Sequence, residues 1–159
     1  MSGASSAAVA VRRVQAPGLG ELAAATWSNA LLIGHEVVMS GMTAHPATRQ
    51  AAEAATPLGA YEQTLVVLEK AKALVEAAGG HIGNIYRLTV YVTAIADKDE
   101  VGRARRDFFA GFAHYPTSTL VQVSGLVFPE LVVEIEAGAR LDIDLRAAVP
   151  PVQTSIKKG

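Results

Sequence analysis

The chain contains no cysteine. That absence excludes a disulfide framework, a thiolate nucleophile and any Cys-ligated metal. Charge is also sparse: 18% of residues are charged, and 14 basic residues meet 15 acidic ones for a formal net charge of −1. With no global field to draw in a polyanion, nucleic acid is not an expected partner. No uncharged apolar run approaches the roughly 18 residues of a membrane span. Met1 to Ala10 is small and polar, with no basic segment leading into an apolar run, so it does not read as a secretory signal. The expectation is a soluble, cytoplasmic protein without a membrane partner. Internal repeats are missing, and His35, His45, His81 and His114 fall in turns or loops without metal-ligand spacing. No metal and no cofactor are expected.

What the chain does have is apolar surface, half of its 159 residues. A single domain near this size buries roughly 70% of its unfolded surface. The apolar share exceeds what one interior needs, so part of it is expected in a subunit interface. The ends differ in character: residues 1–8 are Ser/Ala-rich, and residues 147–159 carry Pro150-Pro151 and Lys157-Lys158-Gly159, so both read as flexible appendages on a domain spanning 9–146.

Within that domain the pattern predicts a first strand over 9–14. A hairpin follows, its arms 26–33 and 36–40 meeting at Gly34-His35. Thr56-Pro57 reads as the start of a long helix with an apolar stripe of Leu58, Tyr61, Leu65, Leu68 and Val75, stopped by Gly79-Gly80. Residues 85–93 alternate as a strand, with Ile85, Arg87, Thr89 and Tyr91 on one face and Tyr86, Leu88, Val90 and Val92 on the other. Asp97 with Glu100 resembles a capping box for a second helix carrying Val101, Ala104, Phe108 and Phe112. Strands over 119–123 and 131–141 finish the domain. The sum is an α+β fold: a mixed six-stranded sheet with two helices on one face. The uncovered face should find a partner in subunit association.

Pro116-Thr117-Ser118-Thr119-Leu120-Val121-Gln122-Val123, followed by Pro129-Glu130-Leu131-Val132-Val133-Glu134-Ile135-Glu136-Ala137, resembles the C-terminal signature of the RidA (YjgF-type) family. Trp27-Ser28-Asn29-Ala30 and Ser40-Gly41 resemble its aromatic-Ser-Gln-Ala and Ser-Gly stretches, and Val101 to Phe109 its helix ending in Phe-Phe. The resemblance runs from about residue 9 to 145. It implies a chorismate-mutase-like fold, a homotrimer with a barrel-like centre, and small-molecule clefts between subunits. It also implies cofactor-free hydrolysis of short-lived enamines and imines to a keto acid and ammonia.

The resemblance carries site residues only in part. Glu134 matches the family glutamate that handles the water, Gly41 the cleft glycine, and the Leu120 amide remains free to donate to an anion. Ser118 stands where deaminating members hold a carboxylate-binding arginine, so the chain reads as a divergent member lacking that bidentate grip. Trp27 replaces a tyrosine and Gly102 an asparagine. Ser118 and Thr119 are candidate ligand contacts, although hydroxyls before a strand are most often turn groups. Arg103, Arg105 and Arg106 on the second helix could supply the missing charge, against the bland alternative of a solvated face paired with Asp99, Glu100 or Asp107.

The leading expectation is therefore a hydrolase of a small unsaturated amino- or imino-carboxylate. An altered, more apolar cleft with Trp27 suits a larger planar substrate such as 2-aminomuconate, the substrate of one family branch. The alternatives are a non-catalytic, metabolite-binding or chaperone-like trimer and, against the charge balance, a ribonuclease.

Overall fold

The computed structural model describes residues 8–152; the expected flexibility of 1–7 and 153–159 lies outside them. The first strand, β1 (Val11–Val14), pairs antiparallel with β2 (Ala30–Ile33), which forms the expected hairpin with β3 (Glu36–Met39). Gly34 gives that two-residue turn its φ of +60°. β3 then pairs with the last strand, β7 (Val133–Arg140), in the register Val38 to Gly138. Ser40 and Gly41 leave the ladder, and a two-residue strand, β4 (Met42–Thr43), rejoins β7 opposite Ile135 and Glu134. β5 (Ile85–Val92) flanks β7 on its other side, and β6 (Thr117–Gln122) pairs parallel with β5 to form the edge. The sheet thus has seven strands, in the order β1-β2-β3-β7-β5-β6 with β4 beside β7.

The extra strand and a short helix, α1 (Ala47–Glu53), correct the expected count of six strands and two helices. Both arise in the polar, alanine-rich stretch that has no strong periodicity to read.

The long helix α2 (Ala60–Ala77) begins at Ala60 rather than at Thr56-Pro57. There the Glu62 carboxylate accepts the Gly59 N–H at 3.1 Å. Its buried stripe is Gln63, Thr64, Val67, Leu68, Ala71, Leu74 and Val75, so Tyr61 and Leu65 lie outside it. The stripe rotates because two polar residues are satisfied within it. Thr64 donates to the Ala60 carbonyl at 2.6 Å. Gln63 donates to the Leu58 and Glu130 carbonyls and accepts the Val132 N–H, tying the loop before β7 to the helix.

The third helix, α3 (Lys98–Phe108), follows a 3₁₀ turn (Ile95–Asp97), and Asp97 makes no side-chain cap. Val101, Ala104 and Phe109 are buried beneath it, and Phe109 stacks edge-on against Phe108 and Phe112. In β5 a bulge between Ile85 and Arg87 shifts the phase by one residue. Ile85 is therefore core, and Tyr86 turns outward to donate to Glu36 at 2.9 Å, reversing the expected faces of that pair.

α2 and α3 cover one face of the sheet through Val37, Met39, Leu88, Val90, Val133 and Ile135, all buried. The other face is mixed rather than uniformly apolar. Val38 and Val121, 41% and 42% exposed, lie there with Tyr91, Glu134 and Glu136. After β7 the chain crosses back beneath the sheet end: Leu145 donates to the Gly83 carbonyl, and the His114 N–H to the Leu145 carbonyl. That strap fixes Tyr115-Pro116, the entry to β6.

Candidate functional site

Two groups of the expected residues assemble, on opposite faces of the sheet. The first surrounds Glu134. Strand alternation puts Val133 and Ile135 against the helices and Glu134 on the outer face, across from Thr43 on β4 and Tyr91 on β5. Its carboxylate lies over the gap that Ser40 and Gly41 leave in the ladder. A Cβ on Gly41 would fall 2.2 Å from Glu134 Oε1, so glycine at 41 is what gives the carboxylate its place. Ser40 in turn donates through Oγ to the Ser28 carbonyl at 2.7 Å and through its N–H to the Asn29 carbonyl at 3.0 Å. That bond pair brings the Trp27 loop beside Gly41, with Trp27 54% exposed.

Partial burial raises the Glu134 pKa above the ordinary carboxylate value, and repulsion from Glu136 adds to the rise. Glu136 accepts the Tyr91 hydroxyl at 3.0 Å. A carboxyl tuned upward and half-shielded holds a proton more readily than an ordinary carboxylate, as a group that takes and returns one must.

The second group lies where α3 approaches the free edge of β6. Val123 donates its N–H to the Val92 carbonyl, so by alternation the N–H groups of Thr119 and Val121 also face β5. Those of Ser118 and Leu120 therefore point off the edge, unpaired by the sheet. The Ser118 side chain falls on the helix side, where Arg105 donates to its Oγ at 2.5 Å. Burial, then the neighbouring Arg106, lowers the Arg105 pKa from the ordinary arginine value. Two adjoining cavities run along this edge. One of about 380 Å³ is lined by Ser118, Tyr115 and Phe109, the other of about 640 Å³ by Leu120 and Ile95, and Arg105, Arg106 and Gly102 border both. Such a groove suits an anion.

Not every expected residue joins. Arg103 pairs with Glu100 at 2.5 Å and stacks over Tyr61 at 3.6 Å, away from the groove. The Thr119 side chain lies on the outer face, across from Thr89. Tyr115, 56% exposed at the groove mouth, escaped the sequence reading, although an aromatic immediately before Pro116 was its signal. Within the chain Glu134 and Ser118 cannot meet, because β5 separates their strands and their side chains leave opposite faces.

A family model described as Endoribonuclease L-PSP matches residues 19–141. A relative in Escherichia coli that bears the name reactive intermediate deaminase TdcF is 37% identical over 82 residues, 51% of this chain. That match spans 63% of the relative, less than two thirds of its length. Among solved structures, a Pseudomonas aeruginosa protein of unknown function is 67% identical, with a TM-score of 0.87 over 89% of this chain and 99% of that one. RidA from an Antarctic Psychrobacter is 28% identical, with a TM-score of 0.64 over 81% of this chain and 98% of that one.

Proposed function

We propose, from the premise that this chain belongs to the endoribonuclease L-PSP (YjgF/RidA) family, that it hydrolyses enamines and imines of small unsaturated amino acids without a cofactor. The observation that carries the reading is Glu134, half-shielded over Gly41 with its pKa pushed upward. Water adds to the imine carbon while Glu134 takes one of its protons. The carboxylate returns that proton to nitrogen to give a carbinolamine. The carbinolamine hydroxyl then yields its proton, through the same carboxylate, to the amino nitrogen, the C–N bond breaks as the C=O forms, and ammonia leaves a 2-oxo acid behind. The substrate carboxylate is held at the β6 edge, where the Leu120 N–H points outward.

Because the two groups lie on opposite faces, the site is completed between copies, the β6 edge of one facing the Gly41–Glu134 surface of the next. A homotrimer, as the family resemblance implies, supplies that arrangement. The open groove and the exposed Trp27 suit a substrate larger than 2-aminoacrylate, of the 2-aminomuconate kind.

Ammonia release from freshly generated 2-aminoacrylate and 2-aminomuconate tests the activity. The purified protein is expected to accelerate it, with the larger substrate preferred, and Glu134→Gln to abolish it. Tight binding of the 2-oxo acid without turnover would instead favour a metabolite-binding trimer. A well-folded monomer by light scattering would overturn the shared site.

A further inference from the structure

The edge of β6 carries no cationic side chain, yet a guanidinium lies against it. We propose that Arg105, reaching across from α3, binds the substrate carboxylate in this chain, and that Ser118 is its positioning residue. The inference rests on the reading above that a carboxylate is held at this edge. Arg103, Arg140 and Arg146 each have an acid partner. Among the described residues no carboxylate lies within salt-bridge distance of Arg105, whose side chain is bonded only to the neutral Ser118 hydroxyl. A partly buried cation without a counter-charge is costly unless something anionic arrives to meet it.

The geometry suits that arrival. The Ser118 hydroxyl accepts from Arg105 and keeps its own proton to donate onward, and the rest of the guanidinium fork is unused. Arg105 borders both cavities, one shared with Ser118 and the other with Leu120, whose N–H points off the edge. Gly102, one turn earlier on α3, leaves the groove open beside the guanidinium: a Cβ there would meet only Arg106 Nη1, at 3.7 Å. A serine at 118 is small enough to leave that space to a side chain arriving from the helix.

Titration calorimetry with 2-oxobutanoate and its neutral primary amide separates charge recognition from packing. Arg105→Gln is expected to weaken the acid about 10- to 100-fold, the range of a lost charge-assisted bond, and to leave the amide unchanged. Arg105→Lys should recover part of the loss. Ser118→Ala should raise KM by several-fold with kcat nearly unchanged, and Arg103→Gln should change nothing. The exchange Arg105→Ser with Ser118→Arg should restore most of the acid's affinity, and thermal unfolding confirms that each variant is folded.

Acid binding that survives Arg105→Gln, acid and amide lost equally, or a wild-type protein that does not distinguish the two would each overturn the proposal. Charge-dependent binding through Arg105 without ammonia release would remove only the hydrolase reading. Ammonia release indifferent to Arg105 would remove only this one.

Discussion

Replacing Gly41 by alanine should separate activity from stability. The added Cβ would stand 2.2 Å from Glu134 Oε1, 3.2 Å from Cδ and 3.4 Å from Cγ, its three nearest atoms all on that one side chain. To reach ordinary contact the carboxylate end must retreat by roughly 1 Å or more, a rotation that costs about 0.5–1.5 kcal/mol if it leaves a favoured rotamer. The backbone itself accepts alanine, because Gly41 is not among the positive-φ glycines. The lost freedom of the unfolded chain returns roughly 0.4–1 kcal/mol. Stability should therefore stay within about 1 kcal/mol of wild type. Misplacing a proton-transfer group by roughly 1 Å, in contrast, can lower the rate about 100-fold. Urea denaturation read beside ammonia release measures both. Unchanged turnover would refute the role given to the carboxylate's position, and a stability loss above about 3 kcal/mol would mean that the Cβ strikes something less yielding than a side-chain end.

Three further outcomes follow from the packing and the charges. Phe109→Ala removes a fully buried ring between Phe108 and Phe112 and should cost about 3–5 kcal/mol in denaturant; a change under about 1 kcal/mol would mean that this end of α3 is not packed as described. Gln63→Leu orphans the Leu58 and Glu130 carbonyls and the Val132 N–H and should cost about 3 kcal/mol, with amide exchange faster in the loop before β7. A raised folded-state pKa at Glu134 means that its contribution to stability is complete below the unfolded value of about 4.3 and fades as pH rises through the folded one. Glu134→Gln should therefore gain on wild type in thermal stability as pH rises from the unfolded carboxylate value through the raised folded one, and a pH-independent difference would contradict the burial of that carboxylate.

The fold was legible in the sequence wherever periodicity and turn chemistry agreed. Gly34-His35 set the hairpin, the alternation of 85–93 set β5, and Val-rich runs set β6 and β7. Legibility failed where a polar residue is buried for its hydrogen bonds, as at Gln63 and Thr64, because hydrophobicity alone cannot anticipate a partner distant in sequence. It failed again at the β5 bulge, which inserts one residue and turns Ile85 inward.

By itself, the order of residues determined the family, and it singled out Glu134 and Ser118 as candidates, since each is a matter of residue type at a place in a motif. Which arginine stands beside Ser118 was decided only in three dimensions. Arg103, Arg105 and Arg106 share one short helix and one charge, and the direction in which α3 crosses the β6 edge sends Arg105 to Ser118 and Arg103 to Glu100. The same holds for the separation of Glu134 from Ser118 onto opposite faces: strand pairing between distant segments creates it, and no local pattern carries that information.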